Sequence, residues 1–108
     1  MQPNTSLKDA LRYASASVEA QHEVLRARAK HAPMRGPHEG YAVLLEEVEE
    51  LWAEVKAKTF DKAKARKEAL QVAAMALAFV VEVCGEPTPS APLRSAAEWS
   101  ADEDRGAE

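Results

Sequence analysis

The sequence predicts an all-α protein, a helical bundle of three main helices that is completed by oligomerisation. Apolar residues recur at three- and four-residue spacing in three successive segments, which is the period of an α-helix. No segment shows the alternation of apolar and polar residues that is typical of a half-buried strand. A chain of 108 residues suits one domain, which we expect to cover residues 1–86.

The first helix is predicted to begin after Ser6. Ser6 and Asp9 resemble a capping box in which aspartate replaces glutamate or glutamine. The helix is expected to end before His31, because residues 33–37 contain two prolines and a glycine, which break helices. The periodic positions of this helix are Leu7, Leu11, Ala14, Val18, Gln21 and Leu25.

The second helix is predicted over residues 38–58. The third helix is predicted to follow Asp61, a good N-cap residue, and to end near Cys84, with Gly85 just beyond it. The apolar face of the second helix is predicted to consist of Tyr41, Leu44, Leu45, Val48, Leu51, Trp52 and Val55.

The third helix is apolar on almost every side from Ala69 to Val83. A helix of that kind is covered from several directions, which three helices can hardly achieve, so a dimer or a fourth helix is expected. Residues 87–108 begin with three prolines and end acidic. We expect them to form a partly disordered tail with one or two helical turns at 93–99, where Trp99 would dock on another subunit or cover the site.

Composition excludes several classes of partner. The net charge of −4 gives no general attraction to nucleic acid or to an anionic membrane. The longest apolar run, residues 72–81, is too short for a membrane span, which needs roughly 20 residues. The only cysteine, Cys84, fits a reducing compartment, and the first residues do not resemble a signal peptide. We therefore expect a cytoplasmic protein.

The second helix contains the acidic motif E-E-x-x-E at Glu46, Glu47 and Glu50. Carboxylates at this spacing are neighbours on a helix and repel one another, whereas a hard divalent cation such as Mg²⁺ prefers oxygen ligands. Glu68 lies on one line of the third helix with apolar residues, and a buried glutamate needs a partner. If the second and third helices are antiparallel, Glu68 lies near Glu50 and the carboxylates converge. The alternative is a solvated acidic face.

The turn between these helices is basic. Six cations flank it, and next to a carboxylate–metal site they would suit a polyphosphate. The alternative is that they favour the helix dipole and solubility. The six residues are Lys56, Lys58, Lys62, Lys64, Arg66 and Lys67.

Residues 38–83 resemble the MazG-like all-α nucleoside triphosphate pyrophosphohydrolases. The first family motif matches Glu46, Glu47 and Glu50, and the second, E-x-x-D, is represented by Glu68 and Gln71, so its aspartate is replaced. The resemblance implies a helical dimer or tetramer that uses Mg²⁺, or Mn²⁺, to hydrolyse a nucleoside or deoxynucleoside triphosphate to monophosphate and pyrophosphate.

On this resemblance, the metal ligands are expected to be Glu47 and Glu50 first, then Glu46, Glu68 and Gln71. Glu46, Glu47 and Glu50 are the expected catalytic residues, and Glu46 would act as a ligand or as the base. Lys56, Lys58 and Lys62 are expected to bind the phosphates. Because glutamine offers only a neutral carbonyl oxygen, a second hypothesis is an inactive helical oligomer that binds a nucleotide or a protein partner.

Overall fold

A computed structural model of the protein describes residues 6–85, and within them it contains helices and no strand. Helix α1 spans Leu7–Lys30, α2 spans Pro37–Val55 and α3 spans Lys62–Ala78. Helix α3 continues directly into a π-helical segment, Phe79–Val83. The all-α class is thus confirmed. The predicted tail, including the turns at 93–99 and Trp99, lies outside the described residues.

The helix ends follow the local chemistry that the sequence predicts. The Ser6 hydroxyl oxygen accepts a hydrogen bond from the backbone N–H of Asp9 at 3.1 Å. The Asp61 carboxylate accepts from the N–H groups of Ala63 and Lys64 at 3.0 and 3.1 Å. Gly85 has a φ of +78°, the left-handed conformation that favours glycine after a helix.

Helix α2 ends three residues earlier than predicted. The N–H of Lys56 donates to the carbonyl oxygen of Trp52 at 3.0 Å, as in a regular α-helix. The N–H of Ala57 instead donates to the carbonyl oxygen of Glu54 at 3.4 Å. This i→i−3 bond tightens the last turn and ends the α-helix. The lysines of the basic turn therefore lie on a connection between α2 and α3 and at the start of α3.

Helix α3 is the centre of the described fold. It packs against both α1 and α2, whereas no Cα atom of α1 lies within 8 Å of a Cα atom of α2. Gly40 of α2 lies against Phe79, and Glu50 of α2 lies near Glu68, so α2 and α3 are antiparallel. The gap that remains between α1 and α2 becomes a cleft with α3 as its floor.

The core lies where α1, α2 and the loop that contains Met34 approach α3. Its buried residues are Met34, Ala74, Met75 and Ala78, and the two alanines are almost completely inaccessible. The small side chains of Ala74 and Ala78 allow the neighbouring helices to come close to α3. Half-buried apolar residues surround this core: Val24, Ala27, Val43, Leu44, Phe79 and Val83.

The apolar face predicted for α2 divides into two faces. Leu44 and Leu51 are half-buried on the side of α3, but the other predicted members are exposed. The exposed members are Tyr41, Leu45, Val48, Trp52 and Val55, which we call the α2 stripe. The side of α2 that packs on α3 is centred on Gly40, Val43 and Glu47. Around the helix axis this side lies roughly 100° from the α2 stripe, which is the rotation between two successive residues of an α-helix.

None of the helices in residues 6–85 is both long and apolar enough to cross a membrane.

The closest approach between α2 and the π-helical segment depends on Gly40. A Cβ atom at this position would lie 2.7 and 2.9 Å from ring atoms of Phe79 and 3.1 Å from a methyl group of Val83. A side chain at position 40 would therefore push α2 away from the segment. In contrast, Gly36 has no atom within 4 Å of such a Cβ.

We expect Gly40→Ala to destabilise the protein by about 1–3 kcal/mol, the usual cost of overpacking a core, although alanine favours a helix interior over glycine by about 1 kcal/mol. Gly36→Ser is the matched control. Position 36 is the N-cap of α2, and serine is a good N-cap residue, so this variant should keep wild-type stability or exceed it. Urea denaturation followed by circular dichroism measures both changes. Equal stability of the two variants would contradict the close packing at Gly40.

Candidate functional site

Three carboxylates meet at the contact between α2 and α3. One carboxylate oxygen of each of Glu47, Glu50 and Glu68 lies within 4.8 Å of the other two. Glu47 and Glu50 are three residues apart on one helix, and the antiparallel packing brings Glu68 to the same depth. Of the predicted ligand set, the structure thus gathers these three, which we call the acidic cluster.

The environment of the cluster disfavours negative charge. Burial, with the neighbouring carboxylates of Glu50, Glu68 and Glu46, raises the pKa of Glu47 to about 7. Burial and the charge of Glu50 also raise the pKa of Glu68. Both shifts have the sign expected for carboxylates that lose water and repel one another. A cation among these oxygens would remove the repulsion.

The residues present fit a hard divalent cation. All donors of the cluster are carboxylate oxygens, which Mg²⁺ and Mn²⁺ prefer. In addition, Oε2 of Glu47 is buried and has no hydrogen-bond partner among the described residues. Buried polar atoms are almost always paired, so an unpaired oxygen inside an acidic cluster is consistent with a ligand position.

The remaining predicted site residues lie elsewhere. Glu46 is exposed and lies on the wall of the cleft between α1 and α2. Gln71 also lines this cleft, and its amide donates a hydrogen bond to Oε2 of Glu23 at 2.7 Å. Lys56, Lys58 and Lys62 are exposed at the α2–α3 turn, outside the residues that line the cleft.

The cleft has a volume of about 740 Å³, within the usual range of about 300–1,000 Å³ for small-molecule sites. Its floor is apolar, with Ala27, Met34, Val43 and Met75. Its rim carries charged residues that the sequence prediction missed: Glu23, Arg26, Lys30 and Arg35. In the sequence these residues look like the ordinary polar side of α1 and a loop, so only the tertiary packing identifies them.

An ion pair fixes one wall of the cleft. Arg28 donates to both carboxylate oxygens of Glu82 at 2.5 and 2.6 Å, and the backbone N–H of Met34 donates to the same carboxylate at 3.0 Å. These bonds lower the pKa of Glu82. They connect the end of α1, the following loop and the π-helical segment, so Glu82 has a structural partner and does not belong to the acidic cluster.

Comparison with known proteins identified no relative. No family model, no curated protein and no solved structure matches this chain. The resemblance to the MazG-like enzymes therefore rests on the motif residues alone.

Glu47 and Glu82 should change the free energy of unfolding with pH in opposite directions when no divalent cation is present. The folded protein holds a proton on Glu47 up to about pH 7, whereas the unfolded chain releases it near 4.5. Glu47 therefore reduces the free energy of unfolding as the pH rises between these values. We expect Glu47→Gln to stabilise the protein at pH 8 and to have little effect at pH 4.5. The expected gain is about 1 kcal/mol, less than the full pKa shift corresponds to, because solvent screens a partly exposed group.

Glu82→Gln is the opposing control. Because the pKa of Glu82 is lowered, its carboxylate stabilises the protein above about pH 4.5, and that contribution is lost as the pH falls through the lowered pKa. This variant should be destabilised at pH 8 and should approach the wild type in acid. Urea denaturation in EDTA at a series of pH values tests both, and a Glu47→Gln variant that is less stable than the wild type at pH 8 would contradict the assignment.

Proposed function

We propose that this protein is a Mg²⁺-dependent nucleoside triphosphate pyrophosphohydrolase of the MazG-like type. The observation that supports the proposal is the acidic cluster, in which Glu47 has a buried oxygen without a hydrogen-bond partner among the described residues. It coincides with three residues of the two motifs that resemble the family. A cleft of nucleotide size lies beside it and has Glu47 in its wall. The expected cytoplasmic location agrees with a substrate from the nucleotide pool.

Each residue of the cluster has a role in this proposal. Glu47, Glu50 and Glu68 would hold Mg²⁺, or Mn²⁺, which when bound supplies positive charge for the phosphate oxygens in the transition state. Glu46 is exposed, adjoins Glu47 in sequence and lines the cleft, so it would accept the proton of the attacking water.

Two groups of cations are available for the phosphates. Arg26 and Lys30 lie on the rim of the cleft itself, and guanidinium and ammonium groups bind phosphate through charge-assisted hydrogen bonds. The predicted residues Lys56, Lys58 and Lys62 lie at the α2–α3 turn. Since the cleft includes Glu46 and Glu47 but not that turn, and Arg26 is paired with Glu23, we favour Lys30 for the polyphosphate.

A second candidate function is a helical oligomer that binds a nucleotide or a protein partner without hydrolysis. The bond from Gln71 to Glu23 favours it, because the amide nitrogen is engaged by a side chain of α1 and glutamine lacks the charge of the aspartate that it replaces. The same three carboxylates would hold a cation in both cases. The two functions differ in turnover and not in metal binding.

A pyrophosphate-release assay with Mg²⁺ and a panel of canonical and modified NTPs and dNTPs distinguishes them. The enzyme hypothesis predicts pyrophosphate and monophosphate, and a loss of about 100-fold or more in Glu50→Gln, because a metal ligand is removed. The matched control is Glu49→Gln, a neighbouring exposed glutamate outside the cluster, which should retain activity. Absence of turnover with Mg²⁺ bound would favour the second function, and equal activity of both variants would contradict the site.

We also propose that the protein is a homodimer or homotetramer. The α2 stripe alternates at four- and three-residue spacing, which is the spacing of a helix–helix seam. Exposed leucines at positions 7, 11 and 25 give α1 a similar face. Contiguous exposed apolar surface of this kind commonly marks an interaction site, and a second copy of the same helices would be a complementary partner.

Trp52→Lys should dissociate the oligomer, because a charge would be placed in the seam. Trp52 is already 56% exposed within one chain, so the subunit itself should stay folded. Ala53→Lys is the control, since Ala53 is exposed on α2 about 100° away from Trp52. Light scattering coupled to gel filtration measures the mass. A monomeric wild type, or an unchanged mass for Trp52→Lys, would contradict this interface.

A further inference from the structure

The bond between Gln71 and Glu23 forms part of the cleft wall. Gln71 on α3 donates to Glu23 on α1 at 2.7 Å, and the Glu23 side chain is only 22% exposed. The second oxygen of Glu23 lies 3.5 Å from the guanidinium group of Arg26. A carboxylate that is held from two directions has a fixed position at the edge of the cleft.

The position of this pair suits recognition of a base. Glu23 and Gln71 line the same cleft as the apolar floor of Ala27, Val43 and Met75. Small-molecule sites typically combine such an apolar surface with a few fixed polar groups that determine orientation. An aromatic base could lie on the floor while its edge faces the polar pair, and the phosphates would extend toward the acidic cluster.

The carboxylate of Glu23 favours a base whose edge donates hydrogen bonds. An ionised carboxylate only accepts hydrogen bonds, and its two oxygens together offer about four acceptor positions. Gln71 occupies one of them, so acceptor capacity remains. Carboxylates read bases by accepting from an exocyclic amino group, as on cytosine. Uracil carries a carbonyl oxygen at the same position, which repels the carboxylate and leaves only the neighbouring ring N–H as a donor.

We propose that Glu23, positioned by Gln71, selects nucleotides whose base carries an exocyclic amino group and rejects uracil and thymine. This specificity rests on the proposed nucleotide function of the cleft. It also gives Gln71 a role of its own. Gln71 replaces the expected aspartate because its amide holds the carboxylate that reads the base.

The test is NMR titration of the ¹⁵N-labelled protein, without metal, with cytidine and uridine monophosphates, and with guanosine and inosine monophosphates. Guanosine and inosine monophosphates differ only in the exocyclic amino group, whereas cytidine and uridine monophosphates differ in that group and in the proton on ring N3. The wild type should bind the amino-bearing member at least about 10-fold more tightly in each pair, since unpaired polar groups in a site penalise the wrong ligand. Equal dissociation constants within both pairs would overturn the proposal.

Variants separate recognition from structure. Glu23→Gln should remove the preference, because an amide can donate as well as accept, and Gln71→Leu should reduce it by leaving Glu23 unheld. The control is Glu19→Gln, one turn earlier on α1, where Glu19 binds Arg66 and lies outside this cleft. It should retain the preference. If Glu23→Gln and Glu19→Gln lose stability equally and both retain the preference, the role of Glu23 is structural and the proposal fails.

The pyrophosphate-release assay distinguishes failure of this inference from failure of the proposed function. Hydrolysis of all triphosphates at similar kcat/KM, with no effect of Glu23→Gln on the ratio of CTP to UTP, would overturn the inference and retain the function. Selective binding of cytidine over uridine monophosphate without any hydrolysis would support the inference and contradict the enzyme.

Discussion

The packing of α3 against two helices whose backbones are separated determines the rest of the structure. Ala74 and Ala78 allow α1 and α2 to approach α3 closely, and Gly40 does the same from the side of α2. One consequence is the acidic cluster, because the antiparallel contact of α2 and α3 brings Glu68 beside the E-E-x-x-E motif. The other is the cleft, which exists because α1 and α2 are separated. Both candidate elements of the site therefore follow from one packing arrangement.

The acidic cluster is unfavourable for folding. Glu47 and Glu68 are partly buried beside the exposed carboxylate of Glu50, which raises the pKa of both. In the other described glutamates whose pKa is shifted, an arginine partner lowers the pKa. Examples are Glu82 with Arg28 and Glu19 with Arg66. Raised pKa values of carboxylates without a cationic partner are frequent at functional sites. A bound cation there would compensate the repulsion between the carboxylates. This contrast within one chain is what favours a cation at Glu47.

Local chemistry made part of this structure predictable. The caps at Ser6 and Asp61 and the glycine at position 85 depend on neighbouring residues only, and all three were predicted. The acidic cluster also followed, because helix spacing and a short connection suffice to place Glu50 near Glu68. The pair of Glu23 and Gln71 spans 48 residues, and no local pattern specifies such a partner. The face of α2 could not be assigned either, since an apolar side chain has the same signature in a core as in a seam between subunits.

The most direct test of the account is a residue-resolved titration of the protein with Mn²⁺, read by paramagnetic broadening of the backbone amide signals. Substoichiometric Mn²⁺ should first broaden the signals of residues around Glu47, Glu50 and Glu68, and excess Mg²⁺ should reverse the broadening. Glu47→Gln should weaken it strongly, whereas Glu49→Gln should not. Broadening spread evenly over all acidic surfaces, or unchanged in Glu47→Gln, would contradict a cation site at the contact of α2 and α3.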